Sequence, residues 1–130
     1  MGIKAPADRK YSETHEWFQL EGDVVTMGIT QYAADELTDI TYADLPKPGA
    51  SVSAGDAVGE VESVKATSEI FSAVTGKVVA VNDSLAEKPE LINDDAFDDG
   101  WLVKIKVESP SQLNALMDAQ EYAAFVRNQK

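Results

Sequence analysis

Apolar and polar residues alternate in short runs along most of this chain. Residues 16–20 (Glu-Trp-Phe-Gln-Leu) and 24–29 (Val-Val-Thr-Met-Gly-Ile) flank the turn formers Glu21-Gly22-Asp23, which predicts a β-hairpin. Thr30 suits a helix N-cap, and Ala33, Ala34 and Glu36 favour a brief helix ending at Leu37. Further strands are predicted at 40–45, ahead of Pro46-Lys47-Pro48-Gly49, and at 77–81 and 101–107. After a turn at Ala54-Gly55-Asp56, a second hairpin runs in over 57–61 and out over 69–74, and Gly76 closes it. Residues 82–99 carry no clear period and read as irregular.

The period changes near the C-terminus. Ser109-Pro110-Ser111-Gln112 combines an N-cap serine, proline at the first helical position and glutamine at the reciprocal box position. Leu113, Leu116 and Met117 would then share one helix face. Asp118-Ala119-Gln120-Glu121 repeats the box and opens a second helix with Tyr122, Phe125 and Val126 on its apolar side. Short strands punctuated by Gly and Pro predict a mainly β fold, a small barrel or sandwich with short helices. Residues 1–10 are polar and expected to be flexible, with 11–130 as a single domain.

Composition narrows the function. The 130 residues are 44% hydrophobic, and no apolar run is long enough to span a membrane. The net charge of −12, from 23 acidic against 11 basic residues, argues against nucleic acid, whose phosphates demand a basic face. It suits solubility, or docking to partners with basic collars. With no cysteine, disulfides and thiolate metal sites are excluded, and a reducing compartment is in keeping. The start Met1-Gly2-Ile3-Lys4-Ala5-Pro6 is expected to be neither a secretory signal nor a transit peptide. Pro6 stands where myristoylation needs Ser or Thr.

Enzyme constellations are thin. His15 is the only histidine, no H-E-x-x-H or G-x-S-x-G motif occurs, and His15 is expected to be a structural hydrogen-bonding residue. A small hydrolase built on His15 is the rival from a different class. Residues 93–100 (Asn-Asp-Asp-Ala-Phe-Asp-Asp-Gly) look like a calcium loop but put Phe97 on a ligand position, so a solvated acidic loop is expected. That leaves Lys65, in Glu62-Ser63-Val64-Lys65-Ala66, at or beside the tip of the second hairpin. An amine held out in water there could be solvated and inert, or could be a modification site.

The identities around it decide in favour of modification. His15-Glu16-Trp17, Gly28-Ile29-Thr30, Leu45-Pro46, Glu62-Ser63-Val64-Lys65-Ala66, Pro89-Glu90-Leu91-Ile92-Asn93 and Gly100-Trp101-Leu102 stand in the order found in the H proteins of the glycine cleavage system. Gly76 and Asn82 with Leu85 match as well, and the resemblance runs from about Tyr11 to Tyr122. The chain departs from that pattern at Thr38, where Gly is common, at Ala43-Asp44, at Ala73 and Thr75, and at Phe97.

The resemblance implies a flattened barrel-sandwich like that of lipoyl and biotinyl carriers, with a C-terminal helical segment. It implies lipoic acid on Lys65, with Glu62, Ser63, Val64 and Ala66 forming the motif read by a lipoylating enzyme. It implies three further partners: a pyridoxal-phosphate glycine decarboxylase (P-protein), a tetrahydrofolate-dependent aminomethyltransferase (T-protein) and a dihydrolipoyl dehydrogenase (L-protein). The chain would be a non-catalytic carrier that shuttles the aminomethyl group of glycine and then electrons. Its compartment would be the bacterial cytoplasm, or the mitochondrial matrix in a eukaryote. By the same resemblance Thr14, Glu16 and Glu69 would line a cleft for the aminomethyl-loaded arm. Glu16 and Glu69 would hold its amine. Other carriers remain as alternatives: an H-like lipoyl donor in a lipoyl relay, a biotin carboxyl carrier, or the lipoyl domain of a 2-oxoacid dehydrogenase. Biotin carriers flank the lysine with Met, whereas Val64 and Ala66 stand here. Lipoyl domains precede a Pro/Ala-rich linker that is absent from this sequence.

Overall fold

The computed structural model describes residues 4–128. Expectations about Met1 to Ile3 lie outside the described residues. Among the described residues, nine strands form two antiparallel sheets: β1 (Lys10–Tyr11), β2 (Glu16–Glu21), β3 (Val24–Ile29), β4 (Ile40–Asp44), β5 (Ser51–Val52), β6 (Ala57–Ser63), β7 (Thr67–Phe71), β8 (Gly76–Val81) and β9 (Val103–Val107). The larger sheet has the order β1-β2-β3-β9-β8-β5, and the smaller β4-β6-β7. Phe18, Met27 and Ile105 from the first sheet meet Ile40, Val61 and Ile70 from the second in one buried core. This is the barrel-sandwich architecture that the residue pattern and the resemblance predict.

Both hairpins form, but the outgoing strand of the second spans Thr67–Phe71 rather than 69–74, and Gly76 opens β8 instead of closing it. Glu16 pairs with Ile29 and Glu21 with Val24, so Gly22 and Asp23 make the turn, Gly22 with φ 64°. Helix α1 (Gln31–Leu37) is capped by Thr30, whose side chain accepts from the Ala33 N–H. In the smaller sheet β6 bulges between Ala57 and Gly59, and a Cβ on Gly59 would lie 2.4 Å from the Asp44 carbonyl oxygen. Only glycine lets β4 approach so closely.

Several expectations need correction. Residues 82–99 are not irregular throughout: a 3-10 helix (Asp83–Ala86) and helix α2 (Leu91–Asp94) lie within them. The last strand begins at Val103, although the Leu102 N–H already donates to the Met27 carbonyl. Ser109 makes no side-chain cap, and Pro110–Ala115 is a 3-10 helix rather than α. Gln112 Oε1 accepts from the Thr75 N–H at 2.8 Å, so it cannot close a box on Ser109. Leu113 is buried, but Leu116 turns extended and Met117 bridges to Tyr11, so the three share no helix face. Arg9 and Lys10 belong to the folded body. Arg9 is 8% exposed and donates to the Phe97 carbonyl, and Lys10 pairs with Phe18.

The second box does form. Asp118 and Glu121 cap each other's backbone N–H groups at the start of helix α3 (Ala119–Arg127). Tyr122 and Val126 bury that helix against Tyr11, Trp17 and Phe97 in a second apolar cluster, where Tyr11 and Tyr122 stack at 4.8 Å.

Candidate functional site

The hairpin β6–β7 presents Lys65 at its tip. Glu62 pairs with Thr67, and the Ser63 N–H donates to the Ala66 carbonyl at 2.8 Å, leaving Val64 and Lys65 as the turn. Ser63 builds that turn from inside. Its Oγ accepts from the Lys65 and Ala66 N–H groups at 3.1 and 3.0 Å and donates to the Ala66 carbonyl. A hydroxyl at this position offers the backbone a local alternative to the ladder. Val64 stands 71% exposed beside the lysine. The tip is tied to its neighbours at two points: the Val64 N–H donates to the Asp39 carbonyl at 3.1 Å, and Lys65 Nζ donates to the Glu36 carbonyl at 3.1 Å. Lys65 is exposed and makes no ion pair among the described residues.

The outer face of this small sheet is acidic. Glu60 pairs with Asp44 on one side and Glu69 on the other, so three carboxylates stand in a row across three strands. Like charges directly opposed in a sheet repel. The next row towards the tip is Tyr42, Glu62 and Thr67, with Tyr42 52% exposed.

A cleft of about 630 Å³ opens at the other end of β7, lined by Ser12, Thr14, Glu16, Phe71, Leu116 and Met117 among others. Thr67, Glu69 and Phe71 share the outward side of β7, so this strand leads from the tip to the cleft, roughly 14 Å at ~3.4 Å per residue. Glu16 is 1% exposed. Its carboxyl accepts from Ser12 Oγ at 2.6 Å, from Thr14 Oγ1, and from the Phe71 N–H at 3.2 Å. Burial pushes its pKa above the ordinary carboxylate value, against the pull of those hydrogen bonds. Thr14 is exposed and Ser12 half-buried, so their hydroxyls stand between the carboxyl and the open cleft.

The structure thus brings Thr14 and Glu16 together but not Glu69, which lies exposed on β7 opposite Glu60. It adds Ser12, which reasoning from sequence missed; the alternate spacing Ser12-x-Thr14-x-Glu16 was the available signal.

The remaining motif residues hold the frame. His15 adopts φ 71° and its Nδ1 lies 2.9 Å from Tyr122 Oη, in keeping with the structural role expected of it. Trp17 Nε1 donates to the Ala96 carbonyl at 2.9 Å. Residues 93–100 are therefore not a merely solvated loop: Asp94, Asp98 and Asp99 face water, but Ala96 and Phe97 are buried against Trp17. Among the described residues no cluster of metal-ligating side chains occurs, and no helix is long and apolar enough to cross a membrane.

With this geometry established, comparison with known proteins is consistent. The family model described as Glycine cleavage H-protein matches residues 9–129. The chain is 47% identical over 125 residues to the glycine cleavage system H protein of Enterobacter sp. (strain 638), covering 95% of this chain and 97% of that protein. It is 51% identical over 113 residues to the mitochondrial glycine cleavage system H protein of Oryza sativa subsp. indica, covering 87% of this chain and 69% of that protein. A crystal structure of a glycine cleavage system H protein from Mycobacterium marinum superposes with a TM-score of 0.85 at 35% identity, covering 96% of this chain and 99% of that one.

Proposed function

The chain belongs to the glycine cleavage H-protein family, the lipoyl carriers of the glycine cleavage system, and from that premise we propose that Lys65 bears its lipoyl group. One observation carries this reading: Lys65 is exposed at the tip of a hairpin whose turn is ordered by Ser63. The only hydrogen bond of its amine to the described residues is to the exposed Glu36 carbonyl, which water can replace. Glu62, Val64 and Ala66 complete the motif for the lipoylating enzyme, with Val64 as an apolar grip and Ser63 as the residue that shapes it.

When bound, the lipoyl group supplies a disulfide that is reduced as a one-carbon amine unit is accepted and is later reoxidised. The chain's own residues hold the attachment point in water and offer a sheltered end. The outward side of β7 leads to the cleft, where Phe71, Leu116 and Met117 exclude water in part. The Ser12 and Thr14 hydroxyls, backed by the Glu16 carboxyl, form an acceptor suited to a cationic amine. Glu69 contributes a second carboxylate along the route rather than inside the cleft.

The carrier serves the pyridoxal-phosphate decarboxylase, the tetrahydrofolate-dependent aminomethyltransferase and the dihydrolipoyl dehydrogenase, and performs no catalysis itself. Attachment converts three encounters into tethered delivery. The row Asp44–Glu60–Glu69 complements basic collars on such partners. The compartment in keeping with the bacterial and mitochondrial relatives is the cytoplasm, or the matrix in a eukaryote. Glycine–bicarbonate exchange with the decarboxylase tests the assignment. Lipoylated wild type should sustain exchange and Lys65→Arg should not; undiminished exchange by that variant would place the attachment elsewhere.

A further inference from the structure

Thr38, at the end of α1, has φ 61° and ψ −147°. That region is almost confined to glycine, and a β-branched residue there is strained. The corner is held in place from α2. Asn93 Nδ2 donates to the Thr38 carbonyl at 2.7 Å and to the Ala34 carbonyl at 3.3 Å, while Asn93 Oδ1 accepts from the Ile40 N–H at 2.9 Å. One side-chain amide therefore clamps the chain on both sides of Thr38 and Asp39. Asp39 is the residue whose carbonyl accepts from Val64, next to Lys65. Among the described residues, the turn 64–66 makes no other hydrogen bond outside its hairpin except that of Lys65 Nζ to the Glu36 carbonyl, at the same end of α1.

We propose that Asn93 is a positioning residue for Lys65, acting through the strained Thr38–Asp39 corner; this rests on Lys65 being the lipoylated lysine. Without the clamp the corner relaxes towards negative φ, the Asp39 carbonyl turns away from Val64, and the tip samples more orientations. A lipoylating enzyme must then order the tip before it can acylate the amine. The three hydrogen bonds of Asn93 offset the strain of a β-branched residue at this corner.

Four full-length, unlipoylated chains test this: wild type, Asn93→Ala, Thr38→Gly and the double variant. Amide hydrogen exchange at Val64 is read against Ile105 in the core of β9. Acylation of Lys65 by a lipoate–protein ligase is read as kcat and KM, beside acylation by acetic anhydride. Asn93→Ala should speed exchange at Val64 about tenfold more than at Ile105 and lower the ligase kcat/KM by about tenfold. Acylation by the small reagent should not change. Adding Thr38→Gly should restore both, because glycine adopts this positive φ without strain and the corner then has no steric reason to relax when the clamp is gone. Parallel acceleration at Val64 and Ile105, an unchanged kcat/KM, or no rescue would each overturn the proposal and leave Asn93 a merely structural residue. Should Asn93→Ala not fold, Asn93→Asp replaces it, keeping the acceptor for Ile40 while withdrawing both donors. A wild-type chain that the ligase leaves unmodified at Lys65 would sink the attachment reading instead, and exchange at Val64 would still decide the clamp.

Discussion

Replacing Glu16 by Gln probes the buried carboxyl behind the cleft. The side chain accepts from Ser12, Thr14 and Phe71 while only 1% exposed. Glutamine keeps the size but offers one acceptor oxygen. With that oxygen towards Ser12 and Thr14, its NH₂ opposes the Phe71 N–H, and a hydrogen bond to a charged acceptor, about 1.5–3 kcal/mol, is lost. The substitution also removes the cost of burying a charge, so the net loss at neutral pH should be about 1–2 kcal/mol. An unfolding entropy of about 2.1 cal/mol/K per residue converts this to a fall in Tm of roughly 4–7 °C for a chain of this length.

The pH dependence has a definite sign. Because burial raises the carboxyl's pKa in the folded protein, its contribution to stability is fully present below the unfolded value of 4.5. That contribution is lost as pH rises through the higher folded value. The stability gap between wild type and E16Q should therefore narrow as pH rises above 4.5 and through the raised folded value. Thermal unfolding followed by circular dichroism across that range measures it. A gap that widens with pH would mean the fold favours the ionised carboxylate, and would refute the account of Glu16.

Tyr122→Phe removes a buried hydroxyl that bonds Thr30 Oγ1 at 2.7 Å and lies 2.9 Å from His15 Nδ1; denaturant unfolding should show a loss of about 1–3 kcal/mol. Burial pushes the Tyr122 pKa up to about 12, so its contribution to stability should disappear as pH rises from 10 to about 12, as ultraviolet titration alongside unfolding would detect. Gly76→Ala would set a Cβ 2.1 Å from the Lys106 carbonyl oxygen between β8 and β9, and should cost about 3 kcal/mol in thermal unfolding. Ser63→Ala deletes the hydroxyl that orders the lysine turn; stability should fall by only about 0.5–1.5 kcal/mol, but ligase-catalysed acylation should fall measurably in kcat/KM.

Local signals made much of the frame legible. The turn at Gly22-Asp23, the Thr30 cap and the Asp118–Glu121 box each act over a few residues, and each forms as the residues predict. What escaped depends on distant partners. The 3-10 helix at 83–86 and helix α2 are four residues each, too short to display a period. Asn82 and Asn93 tie them to residues 99, 101, 34, 38 and 40. The Ser109 box fails because Thr75 takes the glutamine from 37 residues away. At the site, hairpin alternation puts Lys65 at the tip and the residue identities around it mark it out, whereas the cleft joins β2, β7 and the segment 115–117, which no local pattern connects. The resemblance gives Glu16 as a cleft acid for the arm's amine; only the fold reveals that it is buried with its donors already in place.

The central claim is that one exposed amine receives the carrier's prosthetic group. Incubation of the full chain with lipoate, ATP and a lipoate–protein ligase, followed by peptide mapping by mass spectrometry, tests it most directly. The account predicts a single lipoyl addition on the peptide containing Glu62-Ser63-Val64-Lys65-Ala66 and none on the Lys65→Arg chain. Addition at any other lysine, or none under conditions that modify a known H protein, would contradict it.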